Sequence, residues 1–374
     1  METDTCAYQL LSLIALSGEC SVDIITYMGI SPSYAEKLIT KLKDEGYIKT
    51  HYRDRLRGYR LTNRGKKFLI GSNPDRFLFY LSGNTDTNRP RSDFTRRLRL
   101  QQTSIVYVML QNAGVCLYRD EKNLLFSKDT KMQQDLRLPA FYQAREVKEL
   151  GAEAVKINNS RTIGILLAPR RLYAVYYTGG SLMKWEYRTE LKVKTLLRFH
   201  TSRGVLSKNN IYPWYHPDSP VRAVIIGENM DMAVKLMKSN GGYKKSFFCL
   251  DASFEGYHFI PASKEGEVML QLLCNAELRN ELEKLLVSDL LPADRTLGLE
   301  HDAVSEGLPV LLCHDFEMLR ITRFFTYLSL HGLKGKVICF DFQKEALEEY
   351  FGGAVMLETI DLEKFKRRYI TDVG

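Results

Sequence analysis

Three times in the second half of the chain an apolar run ends in cysteine, one variable residue and aspartate: "FFCLD" (247–251), "LLCHD" (311–315) and "VICFD" (337–341). Asp251, Asp315 and Asp341 therefore stand at expected strand ends. Carboxylates gathered there could hold a Mg²⁺ ion that activates water for phosphodiester cleavage. A second set of residues is basic. Arg53, Arg55, Arg57 and Arg60 fall in one short stretch and Arg96, Arg97 and Arg99 in another, and guanidinium groups so clustered suit phosphate contacts. Residues 51–100 hold thirteen Lys/Arg against four Asp/Glu, residues 1–50 four against seven, and the remaining 274 residues 36 against 34. The net charge of +8 thus arises in one window, which points to a polyanionic partner.

The elements that must position these residues can be read from spacing. Tyr8, Leu10, Leu11, Leu13, Ile14 and Leu16 form a helical stripe that stops at Ser17-Gly18. A second short helix fits Ser21 to Met28, with Ser21 as cap. A third opens at "ISPSYAEKLITKLKDEGYI", with Ser31 as cap and Pro32 where a missing N–H costs nothing. Its buried face is Ala35, Leu38, Ile39 and Leu42, which leaves Ser33, Tyr34, Lys37 and Lys41 toward solvent. Two short strands (47–52 and 58–62) then flank the tip "RDRLRG", and Thr62 caps a further helix. Three helices followed by a basic hairpin is the order of a winged helix-turn-helix, whose third helix enters the major groove while the hairpin follows phosphates. Alternation along the hairpin is expected to project several of Arg53, Arg55, Arg57 and Arg60 together.

The stretch "GSNPDRFLFYLSGNTDTNRPRSD" (71–93) reads as a connector rich in turn residues, followed by a basic helix capped near Ser92 and stopped at Gly114. Arg96, Arg97 and Arg99 lie in its first turns and either extend the DNA-binding surface or form a solvated face. "TIGILLA" and "LYAVYY" read as a strand pair before a helix at "WEYRTELKVKTLLRF". Metal-dependent nucleases place Asp and Glu on such a skeleton. Here neither strand has an acid, and Glu186 and Glu190 lie beyond them.

From residue 220 onward, "PVRAVIIGEN", "KSFFCLDAS", "LPVLLCHDF" and "GKVICFDFQ" read as buried strands with helices at 229–238, 265–287, 315–331 and 343–351. This alternation predicts an open, mostly parallel sheet, with ligands expected at the strand carboxyl ends. Asp315 and Asp341 directly precede helical runs, so N-capping explains them without chemistry. There is no P-loop and no dinucleotide glycine pattern. The seven histidines are dispersed, with no H-x-H or H-x-x-x-H pair. The seven cysteines include no C-x-x-C pair and fit reduced buried thiols of a cytoplasmic protein. Neither a signal peptide nor an apolar run long enough to span a bilayer is apparent. Tyr212, Tyr215 and His216 in "YPWYHPD" offer a conceivable tyrosine nucleophile, or simply an aromatic interdomain connector.

The N-terminal pattern, with "YRLTNRGKKFL" at the exit of the hairpin and "RRLRLQQTSIVYVMLQNAG" after it, resembles the replication–relaxation proteins of Gram-positive plasmids and integrative elements. The likeness covers roughly residues 5–115, with a looser match over 160–200. It implies a role in origin recognition, nicking or relaxation, or control of transfer. Many such proteins carry Pro-Asp and then Glu-x-Asp on the strand pair. "SRTIGIL" and "YAVYY" stand there instead, so the resemblance carries the DNA-binding part of the inheritance further than the enzymatic part.

The expected protein is mixed α/β, with a winged helix (1–72), a connector and basic helix (73–115), a nuclease-like region without acids (116–215) and an α/β domain (216–374). Its expected partners are double-stranded DNA, relaxosome, replication or transfer proteins, and a second copy of itself, with no membrane. No metal or cofactor is required, except Mg²⁺ if Asp251, Asp315 and Asp341 form a nicking centre. A third function class is a transcriptional regulator whose α/β domain senses a ligand.

Overall fold

The computed structural model describes residues 5–123, 138–148, 160–202, 219–293 and 298–370. It is mixed α/β, with three sheets among the described residues. Two compact units divide the chain, the described part of the first being residues 5–123 and 138–140 and that of the second running from residue 141 onward.

The first unit runs α1 (Cys6–Ser17), β1 (Cys20–Ser21), α2 (Ile24–Tyr27), α3 (Pro32–Asp44), β2 (Ile48–Arg53), β3 (Leu56–Leu61), α4 (Asn63–Ser72), α5 (Pro74–Leu81) and α6 (Phe94–Asn112). Its sheet has the order β1-β3-β2 and is antiparallel throughout. Some of the expected local signals place the ends, but Ser21 lies in β1 and α2 opens after Asp23 instead, and Ser31 precedes α3 without a side-chain cap bond. Gly18, at φ 83°, closes α1 with its N–H on the Ile14 carbonyl, and the Thr62 hydroxyl accepts from Gly65 N–H to open α4. Gly65 has a tertiary reason as well. A Cβ there would lie 2.3 Å from the Tyr47 carbonyl oxygen, so only glycine lets α4 pack against the start of the hairpin. The stretch expected as a connector contains α5, whose Phe77 and Tyr80 are fully buried. Apolar burial of that size makes it part of the core of this unit.

The second unit holds two five-stranded sheets. One comprises β4 (Ala140–Gln143), β5 (Gly164–Ala168), β6 (Arg171–Gly179), β7 (Val221–Gly227) and β8 (Tyr257–Pro261), in that order. Helices α7 (Ala144–Lys148), α8 (Tyr187–Ser202) and α9 (Met230–Met237) join its strands. β6, β7 and β8 are parallel, whereas β5 runs antiparallel to β6. The division expected at 215/216 therefore falls between two hydrogen-bonded neighbours, β6 and β7.

After α10 (Lys264–Cys274) and α11 (Ala276–Val287), the other sheet collects β9 (Leu291–Pro292), β10 (Ala303–Ser305), β11 (Leu308–Leu312), β12 (Gly335–Phe340) and β13 (Val355–Ile360). Its order is β13-β12-β11-β10-β9. The β11-β12-β13 part is parallel and the shorter β9-β10-β11 pairings are antiparallel, so the sheet is mixed with its longer pairings parallel. α12 (Met318–His331), α13 (Lys344–Phe351) and α14 (Leu362–Tyr369) complete the unit.

Two expectations need correction here. "KSFFCLDAS" forms only isolated bridges. Phe248 packs instead with Trp185 and Tyr257, at centroid distances of 5.0 and 5.7 Å, and "YHFIP" supplies the strand. The helix expected over 265–287 breaks at Asn275, whose side chain accepts from Glu277 and Leu278 N–H and caps a second helix. No helix among the described residues is long and apolar enough to cross a membrane.

Candidate nucleic-acid interface and the carboxylate positions

The spacing of Ala35, Leu38, Ile39 and Leu42 buries one side of α3. The same periodicity turns Ser33, Tyr34, Lys37 and Lys41 outward, and all four are exposed. Tyr34 keeps 49% of its surface in solvent. Lys41 approaches Glu45 at 3.9 Å, but both are exposed, and such a pair holds the ammonium only weakly.

The hairpin is tighter than "RDRLRG" suggests. Arg53 pairs with Leu56, which leaves a two-residue turn of Asp54 and Arg55, with φ of 54° and 61°. Positive φ at both central positions is the type I′ turn, whose twist matches that of the strands and which ordinarily ends in glycine. Arg55 occupies the glycine position at the exposed tip. Arg53 and Arg57 are exposed too, but on opposite faces. Opposed pairs share a face. Tyr52↔Arg57 lies with Thr50↔Tyr59, and Arg53↔Leu56 lies with Lys49↔Arg60. Lys43 of α3 stands 5.6 Å over the Tyr59 ring, so Tyr52 and Arg57 belong to the α3 side of the hairpin. The four arginines do not project together, because their spacings of two and three residues cross the pleat.

Arg60 and Arg97 are not surface residues. Their exposures are 7% and 0%, and both grip the buried carboxylate of Glu19. Arg60 Nε donates to it at 2.7 Å, Arg97 Nη2 at 2.8 Å and Gln101 Nε2 at 2.7 Å. Burial pushes the Glu19 carboxyl up, but the hydrogen bonds from Arg97, Gln101 and Arg60 outweigh it and hold the group below its ordinary range. Arg97 also donates to the carbonyls of His51, Arg53 and Leu56, each at 2.9 Å, and Gln101 to that of Arg57 at 3.1 Å. The backbone of the hairpin is thus bolted to α6 from beneath. Gly58 makes room for this, since a Cβ there would sit 2.5 Å from both Glu19 Oε1 and Gln101 Nε2. Arg96 and Arg99 remain exposed, and Arg96 approaches Asp93 at 3.6 Å.

The three C-x-D carboxylates do not converge. Asp251 accepts from Trp185 Nε1 at 2.8 Å, Tyr257 hydroxyl at 2.6 Å and Ser253 N–H at 2.8 Å, which anchors the aromatic cluster. Asp341 is exposed in a 3-10 turn and accepts from Phe342 N–H. Asp315 is buried but caps nothing. The N-cap of α12 is Glu317, which accepts from Leu319 and Arg320 N–H and also from Tyr257 N–H of β8. Among the described residues no three His, Cys, Asp or Glu side chains are grouped as metal ligands would be. Glu190, beyond the strand pair, is buried against Tyr176 and Ser160, whereas Lys192 two residues on faces solvent, so these two residues do not assemble a site either. Tyr212, Tyr215 and His216 lie outside the described residues.

Asp315 belongs to a buried cluster that sequence spacing gave no means to find. His258 on β8 is fully buried, with Nδ1 3.0 Å from the Asp315 carbonyl oxygen, 3.5 Å from its carboxylate and Nε2 3.4 Å from Arg222. Burial, opposed by Asp315 and reinforced by Arg222, pushes the imidazole down to about 4. Burial opposes ionisation of Asp315 in turn, but His258, His314, Arg320 and Arg171 hold its carboxyl well below the usual range. His314 is buried 3.4 Å from Glu283. Phe316, next in the chain, is a buried residue at φ 42°, a conformation costly for a bulky side chain.

No protein-family model matches the chain, and neither a curated protein nor a solved structure matches it.

Proposed function

We propose that the chain is a sequence-specific double-stranded DNA-binding protein whose first unit acts as a winged helix. In this reading α3 lies in the major groove and offers Ser33, Tyr34, Lys37 and Lys41 to base edges and phosphates. Arg57 follows the backbone on the α3 side, while Arg55 at the tip and Arg53 on the reverse face reach neighbouring phosphates. The observation that carries the reading is the buried Glu19–Arg97–Gln101 support, which holds four hairpin carbonyls and presents exposed arginines on a rigid base. A rigid base lets phosphate contacts form with little loss of conformational freedom. Arg60 and Arg97 are supports, not contacts.

Residues 5–115 resemble replication–relaxation proteins, and on that resemblance we propose that the activity acts on mobile-element DNA, in replication, transfer or its control. The second unit would then carry assembly or partner contacts in the cytoplasm. A Mg²⁺ nicking centre on Asp251, Asp315 and Asp341 is not part of the proposal, because the three carboxylates serve different partners.

The test is a salt titration of duplex binding. Removing two phosphate contacts in Arg55→Ala/Arg57→Ala should lower the slope of log K against log salt by roughly 2. Unchanged affinity and slope would sink the hairpin assignment.

A further inference from the structure

The reverse face of the hairpin carries a cleft that the DNA-binding reading does not use. It encloses about 450 Å³ and is bounded by β2, β3, the first turn of α4 and the segment 87–90. A volume of that order suits one small ligand. Four cations line it, namely Lys49, Arg60, Lys66 and Arg89, and no carboxylate does. Lys49 and Arg60 are opposed on the same hairpin face. Among the described residues neither Lys49, Lys66 nor Arg89 has an acidic side chain within ion-pair distance. Glu19 is shared between Arg60 and Arg97, so it leaves the surplus positive.

The rim is built. Segment 83–91 is strapped down by Arg60, whose Nη1 and Nη2 donate to the Pro90 and Arg91 carbonyls at 3.1 and 2.9 Å. Lys66 Nζ bonds the Asn88 carbonyl oxygen, and Asn88 Oδ1 at 2.9 Å. Asn88 in turn donates to Gly83 at 2.8 Å. Of the five guanidinium N–H groups of Arg60, these contacts and Glu19 use three. Burial, with Lys49 and Arg89 nearby, holds the Lys66 ammonium below its ordinary range, as expected where positive charges crowd without a counter-ion.

We propose that this cleft is a binding site for a phosphate group, carried by a small phosphorylated molecule or by a nucleic-acid backbone. Arg60 and Lys66 are anchored by hydrogen bonds, Lys49 and Arg89 stand exposed beside them, and such mutually repelling cations are stabilised by a multiply charged oxyanion whose oxygens guanidinium and ammonium donors match. Because Arg60 links the cleft to Glu19, and Arg97 links Glu19 to the hairpin carbonyls, an occupant would also stiffen the hairpin. The chemistry of the cleft is independent of whether α3 enters a groove.

Calorimetric titration of the full chain with inorganic pyrophosphate at low salt tests this, alongside fluorescence anisotropy with a fluorescein-labelled duplex. Lys49→Ala/Arg89→Ala removes two exposed cations that hold no hydrogen bond in the rim, and its melting curve should match that of the wild type. Pyrophosphate should bind the wild type and lose at least about tenfold in affinity in the variant. If duplex affinity is then unchanged, the natural phosphate is on a small molecule. If duplex affinity falls equally and pyrophosphate competes with the duplex, the phosphate is that of the nucleic acid. Equal pyrophosphate binding by variant and wild type, or no pyrophosphate binding together with unchanged duplex affinity, overturns the proposal.

Discussion

Each unit buries a charged cluster, and the two are built on opposite terms. Around Glu19 the acceptors and donors match. One carboxylate receives Arg60, Arg97 and Gln101, and the remaining Arg97 donors end on backbone carbonyls. Around Asp315 they do not. Asp315 Oδ1, His314 Nδ1, Arg222 Nε and Arg279 Nε are buried without a hydrogen bond among the described residues, and His314 Nε2 faces Glu283 at 3.4 Å. A fully paired network in low dielectric rigidifies whatever it touches, and an incompletely paired one stays polarised and costly. The first cluster is a mechanical support for the hairpin. The second is a reserve of buried charge beside a residue in a strained backbone conformation, the combination that accumulates at functional sites.

The largest effect should come from breaking the satisfied cluster. Arg97→Met keeps the bulk but strips Glu19 of its main partner and strands the carbonyls of His51, Arg53 and Leu56. Removing one side of a buried pair typically costs about 3–5 kcal/mol. Urea unfolding followed by far-UV circular dichroism should show the loss in the first unit. Tryptophan emission should be spared, since both tryptophans, Trp185 and Trp214, lie beyond residue 141. A cost under about 1 kcal/mol would mean that the hairpin does not depend on this support.

Acid separates the clusters by pH window. His258 is held down to about 4 when folded and returns to about 6.5 when unfolded. Between those values the unfolded state binds the extra proton, so stability falls as pH drops from about 6.5 to 4, by roughly 3 kcal/mol in all. Glu19 has a depressed folded value. Its contribution is present above the unfolded carboxylate value of about 4.3 and is lost only as pH falls below it, toward the folded value. Denaturant midpoints measured from pH 7.5 to 3.5 should therefore lose their slope above pH 4 in His258→Asn and keep it in Glu19→Gln. The same slope in both variants would remove the distinction.

The smallest effect concerns the hairpin tip. Arg55→Gly relieves a left-handed residue and should leave the first unit as stable or up to about 1 kcal/mol more stable. Duplex affinity should fall by the worth of one phosphate contact. Stabilisation with undiminished affinity would show that the arginine is there for neither purpose.

Much of this fold was legible because its signals are local. Gly18 and Thr62 end and open helices through bonds spanning three or four residues, and Pro32 fits the first turn of α3 without a donor. The outward face of α3 followed from 3.6-residue periodicity alone. The misreadings are also physical. The run "FFCLD" has the composition of a strand, but Trp185 and Tyr257 bind Asp251 and draw Phe248 into an aromatic cluster. Asn275 has the chemistry of a cap inside what composition reads as one helix. Arg60 and Arg97 have the same residue type as Arg55 and Arg57, and type alone assigned all of them to DNA.

The sequence by itself determined the mixed α/β class, several helix ends, the basic window and the exposed face of α3, since each depends on neighbours within a turn or a strand. Only the tertiary structure decided which arginines meet solvent and which meet Glu19, 41 and 78 residues away in the chain. It likewise parted Asp251, Asp315 and Asp341 and gathered Lys49, Arg60, Lys66 and Arg89 around one cleft. Pairing of charges across such separations depends on strand register and helix packing, which no spacing in the sequence encodes.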